Sequence, residues 1–184
     1  MSKIVVVYHS GYGHTKKVAE AVAESAGATL LAIDAEGNLP EGGWDTLAGA
    51  DTIVIGSPTY MGGVSWQFKK FADASSKQWF GGQWKNKLAA AFTNSATLNG
   101  DKGSTIQYLF TLSQQHGMLW VGTGMMPSNS KAATRADINN LGGSSGLITA
   151  TPSDASTDEM VPGDIATAKV FGKRLAEVSA RLSG

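Results

Sequence analysis

Cysteine is absent from this chain, and with it go disulfides, thiolate metal centres and any cysteine nucleophile. Neither charge is in excess: lysine plus arginine number 15 and aspartate plus glutamate 15, so no net field draws the protein to nucleic acid or to an anionic membrane. No apolar run reaches the length of a membrane-spanning helix, and Lys3 leads straight into a strand-like run rather than a leader peptide. A cytoplasmic protein is expected, with no nucleic-acid partner and no membrane insertion. Charged residues are only 16% against 42% hydrophobic, which disfavours disorder. At 184 residues the chain is expected to form one domain, 1–184.

What is abundant is glycine, at 23 residues, clustered behind apolar runs where a backbone must turn tightly or approach a ligand. The first such run, Ile4-Val5-Val6-Val7-Tyr8, reads as a strand buried on both faces. Residues 16–25 follow with a helical apolar stripe of Val18, Ala19, Val22 and Ala23, stopped at Gly27. Residues 29–33 give a second strand, and a turn-rich connection leads to a third at 52–56. That strand is expected to end at Ser57-Pro58, because proline lacks the N–H of a central strand. A helix over 64–74, a strand over 88–92, a helix over 104–114 and a fifth strand over 118–121 complete the alternation. Residues 147–149 extend that fifth strand after an insertion, and Pro162 opens a last helix. Strands alternating with helices make an α/β, doubly wound parallel sheet flanked by helices. Ligands of such sheets sit outside the carboxyl ends of the strands, which directs attention to the loops after strands one, three and four.

The loop over residues 9–15, His-Ser-Gly-Tyr-Gly-His-Thr, joins a strand to a helix start. Its glycines, free N–H groups and the hydroxyls of Ser10 and Thr15 suit a phosphate, or an ordinary turn with a serine cap. It is not a Walker loop, which needs glycine-lysine before the hydroxyl, and Lys16 replaces the third glycine of a dinucleotide fingerprint. The second loop, residues 57–65, carries Pro58 and Gly62-Gly63. It can present a fixed curve of backbone groups to a pyrimidine edge with Tyr60 or Met61 against a ring, or be a simple turn. The third, residues 93–101, is small and polar, fit for a ring or ribityl chain, or merely solvated.

Taken in order, HSGYGHT, GSPTYMGGVS, KLAAAFTNSAT and QHGM resemble the flavodoxin-like NAD(P)H:quinone oxidoreductases of the WrbA type, over nearly the whole chain. The resemblance implies a five-stranded sheet of order 2-1-3-4-5 and FMN rather than FAD. It implies that Ser10, Tyr12, Gly13, His14 and Thr15 cradle the phosphate. Pro58, Thr59, Tyr60, Met61, Gly62 and Gly63 would border the isoalloxazine, and Thr93, Asn94, Ser95, Thr97, Leu98, Asn99 and Gly100 its other edge. His116, in QHGM, matches a family histidine near the ring and is the catalytic candidate, although the same position also suits a strand-capping histidine. Tyr12 matches a residue near the nicotinamide. Trp79 matches an aromatic over the substrate space that in related assemblies comes from a neighbouring subunit. The chain departs from the family in a shorter connection between the second and third strands, in Met61 where many members have an aromatic, and in Lys102 where others are glycine-rich.

The function implied is two-electron transfer from NADH or NADPH to a quinone, by a homodimer or homotetramer with no bound metal. One rival is a one-electron carrier, although such carriers are usually acidic and cover both flavin faces with aromatics, and the third loop has none. The other is an FMN-binding regulatory protein. No arginine cluster marks a 2′-phosphate site, so NADH and NADPH are both open.

Overall fold

A computed structural model, describing residues 2–182, turns the apolar runs into strands of one sheet. The strands are β1 (Ile4–Tyr8), β2 (Thr29–Ala32), β3 (Thr52–Tyr60), β4 (Gly63–Val64), β5 (Leu88–Ser95), β6 (Leu119–Trp120) and β7 (Leu147–Ala150). The sheet runs β2-β1-β3-β5-β6, all parallel, with β4 a short antiparallel return on β3. Omitting β4 recovers the expected order 2-1-3-4-5. The last position is shared: β6 pairs with Leu88 and Ala89, while β7 pairs with residues 92–95 at the other end of β5. The 121–146 connection separates these two halves, as the sequence suggested.

Alternation along the strands sorts their side chains onto two faces. Val6, Tyr8, Val54, Ala90 and Phe92 pack beneath helices α1 (His14–Ala26) and α6 (Pro162–Leu182), where they meet Val18, Val22, Phe171 and Leu175. Val5, Val7, Ile53, Ile55, Ala89 and Ala91 pack on the opposite face. They lie under α2 (Gly43–Ala48), α3 (Trp66–Ala74) and α5 (Lys102–Gln115), against Leu47, Phe68, Phe71, Ile106 and Leu109. The alanines of β5 leave room for both helical layers. At Gly56 a Cβ would stand 2.2 Å from the Phe92 ring, so the middle of the sheet tolerates no side chain there.

The structure differs from the sequence reading at several element ends. Strand β3 continues through Pro58 to Tyr60, with Pro58 opposite Asn94. The reason is local: β1 stops at Tyr8, opposite Gly56, so beyond that point β3 is no longer flanked by β1 and a missing N–H disrupts no ladder there. Strand β5 likewise reaches Ser95, so Thr93, Asn94 and Ser95 are strand residues. Two short helices were not anticipated, α2 and α4 (Ser76–Phe80), each flanked by glycine or serine that reads as turn. Helix α1 starts at His14 and α5 at Lys102, each two residues before expectation. No helix among the described residues is long and apolar enough to cross a membrane.

Helices α1 and α6 come close together at Gly172, where a Cβ would lie 2.4 Å from the carbonyl oxygen of Val22. Gly172→Leu should therefore push the helices apart and lower stability by about 1–3 kcal/mol. A urea midpoint that drops at unchanged m-value would show it; an unchanged midpoint would mean that this crossing is not tight.

Candidate functional site

The carboxyl ends of β1, β3 and β5 lie side by side, and their loops meet over a cavity of about 170 Å³. Behind β1, the chain turns at Gly13, whose φ of +90° is a left-handed geometry that side chains resist. Ser10 Oγ accepts from the N–H of Gly13 and of Lys16, both at 3.1 Å. The cap and the phosphate readings of this serine are thus compatible, since its own proton stays free to donate. The N–H groups of His14 and Thr15, which open α1, have no acceptor among the described residues. At the positive end of a 13-residue helix, such groups bind anions. His14 is buried, and its Nε2 lies 2.8 Å from the carbonyl of Ala155, tying this loop to the segment after β7.

The end of β3 is fixed from below. Ser57 Oγ donates to the carbonyl of Pro58 at 2.9 Å and accepts from the N–H of Ser65 at 3.1 Å. Ser65 Oγ in turn bonds His9 Nδ1 at 2.8 Å and caps α3. The Thr59 hydroxyl meets those of Thr93 and Thr105, each at 2.8 Å. Tyr60 stands edge-on to Tyr12, their rings 6.1 Å apart, and burial raises its phenol above the usual range, so it stays protonated. Beyond it, Met61 and Gly62 form the hairpin tip. Met61 holds a φ of +48° and points wholly into solvent.

At the end of β5, the Asn94 carboxamide oxygen accepts from Thr149 at 2.8 Å and from Thr151 at 3.1 Å. Its NH₂ is therefore the group left to face the cavity that Asn94 lines. Ser95 Oγ donates to the carbonyl of Thr97 at 2.9 Å and accepts from Lys102 Nζ at 2.7 Å. Lys102 is only 2% exposed, and burial lowers its ammonium to about 8, with Asp164 opposing that shift and Arg135 adding to it.

The structure thus gathers Tyr12, His14 and Thr15 from the first loop, Pro58, Thr59 and Tyr60 from the second, and Asn94 and Ser95 from the third. Ser10, Gly13 and Thr93 support them from behind. Met61, Gly62 and Gly63 form the hairpin rather than the wall, and Thr97, Leu98, Asn99 and Gly100 form the turn beyond Ser95. Ala96, inside the third loop singled out from the sequence, also lines the cavity, as do Thr151 and Ser153, which were not chosen. The polar Thr-Pro-Ser run behind β7 carried the signal, because β7 ends at the same edge as β5.

His116 and Trp79 are not brought there. They line a second cavity, of about 380 Å³, between the α3–α4 junction and the C-terminal end of α5. His116 donates to Ser75 Oγ at 2.9 Å, and its ring lies 4.2 Å from that of Trp84, so within one chain it fastens α5 to α3. Trp79 is half-exposed.

A model of the flavodoxin domain matches residues 5–119. The chain belongs to the flavodoxin domain family. It is 54% identical over 182 residues to Flavodoxin FldP of Pseudomonas aeruginosa, covering 99% of both chains. It is 33% identical over 208 positions to an NAD(P)H dehydrogenase (quinone) of Geotalea uraniireducens, covering 98% of this chain and 99% of the relative. A solved structure of the flavodoxin, WrbA-like protein from Agrobacterium tumefaciens superposes with a TM-score of 0.82 at 51% identity, covering 98% of this chain and 99% of that one.

A flavodoxin domain implies FMN, and the residues present fit it. Two unpaired N–H groups at a helix start suit a phosphate, a carboxamide NH₂ and several hydroxyls suit a polar ring edge, and no carboxylate lines the cavity to repel an anion.

Burial holds His116 neutral down to about 4, against 6.5 for free imidazole, and lowers His9 as well. Between those pH values the unfolded chain takes up a proton on His116 that the folded chain refuses, so stability falls as pH drops through that window. Thermal midpoints from pH 7 to 4 should show the fall. His116→Gln keeps a donor for Ser75 but cannot titrate, and should flatten part of it. An identical slope in the variant would remove His116 as a cause.

Proposed function

We propose that the protein is an FMN-dependent oxidoreductase that moves two electrons from NADH or NADPH to a quinone or similar acceptor. The observation that carries this reading is the outer side of the cavity. Tyr12 is 68% exposed, Met61 stands off on its hairpin, and residues 96–100 hold no aromatic, which favours an outer ring face left open by these three segments. A planar nicotinamide or quinone has room to stack there in turn. FMN would supply the acceptor for a hydride: NAD(P)H leaves as NAD(P)⁺, and two electrons with two protons, one of them from solvent, convert quinone to quinol. The protein's share is to hold the phosphate at residues 10–15, to offer the Asn94 amide to the ring edge and to keep water from the inner face. The relatives named NAD(P)H dehydrogenase (quinone) support the assignment.

In this reading the whole chain works as one FMN domain, in the cytoplasm, as a homodimer or homotetramer. Trp79 and His116 take part only if the second cavity of one chain faces the FMN cavity of another. That assembly would give them the roles the WrbA resemblance implies, and sedimentation of the FMN-loaded protein checks it.

A one-electron carrier is the second reading, and two observations favour it. The 54% identity to Flavodoxin FldP runs the full length of both chains. The quinone dehydrogenase alignments extend over 204–212 positions, so those relatives carry stretches that this 184-residue chain lacks.

Anaerobic titration of the FMN-loaded protein with NADH and with NADPH, followed by benzoquinone, separates the two. The oxidoreductase should bleach in a single two-electron phase with at least one nucleotide and recover its colour on adding quinone. Failure of both nucleotides, with dithionite reducing the protein in two separate one-electron phases, would establish the carrier instead.

A further inference from the structure

Lys102 is the residue that the proposed chemistry leaves unexplained. It opens helix α5 and is almost wholly buried. Both features oppose a lysine, because burial strips its hydration and the start of a helix is already positive. Three bonds hold it nonetheless: Nζ donates to Ser95 Oγ at 2.7 Å, to the carbonyl of Thr97 at 2.8 Å and to that of Leu98 at 2.7 Å. Every ammonium proton is used. The turn it fastens is not one the chain adopts freely. Gly100 and Asp101 are both left-handed, at φ +52°, and a Cβ on Gly100 would stand 2.1 Å from Ser95 Oγ, so the turn folds directly onto that hydroxyl.

We infer that Lys102 is a positioning residue that shapes the 95–100 turn behind the cavity wall and fixes a positive charge one hydrogen bond behind Ser95, making the bound flavin easier to reduce. The inference rests on FMN occupying the cavity that Ser95 lines. Reduction adds negative charge to whatever sits there, and a buried cation favours that charge with little screening by salt. Asp164 of α6 and Arg135 of the 121–146 connection are the other ionisable groups acting on Lys102. They are paired with each other at 2.7 Å, so the lysine is not neutralised by a carboxylate of its own. Ser95 accepts from the ammonium and donates to the carbonyl of Thr97, so its position at the cavity wall is set by both bonds.

The test measures FMN affinity by fluorescence quenching and the midpoint potential against reference dyes, in the wild type, Lys102→Met and Lys102→Arg. Lys102→Met should still bind FMN but show a lower midpoint potential, by an amount that changes little with added salt. Lys102→Arg, which keeps the charge, should recover most of it. An equal potential in Lys102→Met and wild type, both FMN-loaded, overturns the inference and leaves FMN binding standing. Failure of the wild type to bind FMN overturns both together. If Lys102→Met does not fold, Lys102→Gln, which keeps donors for the turn but no charge, takes its place: its FMN-loaded form should show the same lowered potential, and a potential equal to that of the wild type overturns the role.

Discussion

Strand β5 has β3 along one side and β6 and then β7 along the other, and helices cover both faces of the sheet around it. A sheet enclosed in this way has no place for a free polar group except at its two ends, since an unpaired one inside would cost about 1–3 kcal/mol. The polar residues at the carboxyl end are accordingly bonded to one another in ranks. Thr59, Thr93 and Thr105 share hydroxyl contacts, and Asn94 is held by Thr149 and Thr151. What these ranks leave over, the Asn94 amide and the N–H groups that open α1, all faces one cavity. The site is the remainder of the sheet's hydrogen-bond accounting, and its rigidity comes from the same bonds.

Much of this was legible in the sequence. The short β-branched runs, the helical stripes between them and the glycine clusters after strands one and three suffice for a doubly wound parallel sheet and for the edge where a ligand binds, while the strand order came from the family resemblance. The elements that escaped notice share a cause: their partners lie far along the chain. Pro58 belongs to a strand only because β1 has already ended beside it. Thr151 and Ser153 reach the cavity because β7 takes up the edge position that β6 abandons. The short helices α2 and α4 are the exception: they begin and end on glycine or serine, which read as turn from the local sequence. His116 sits just past the end of α5, and its side chain turns inward to Ser75 and Trp84, so a part for it at the flavin depends on a second chain, which no pattern within one chain displays. Lys102 was visible as a departure from a glycine-rich loop, but its burial depends on three acceptors that only the folded turn presents.

The relatives divide between a flavodoxin and quinone dehydrogenases. Carrier and enzyme need the same phosphate loop and the same inner wall. They differ in what lies over the outer face, where this chain offers an exposed Tyr12, a solvent-facing Met61 and a turn of small residues.

All of this depends on a phosphate group occupying the start of α1, and comparing FMN with riboflavin tests that most directly. The two ligands share the ring and ribityl chain and differ only in the phosphate. Titration of the apoprotein, followed by quenching of flavin fluorescence, should find FMN bound roughly a hundredfold more tightly, equivalent to about 2.7 kcal/mol from charge-assisted bonds to the helix N–H groups. Equal affinity for the two, or binding of neither, would contradict the placement of the site.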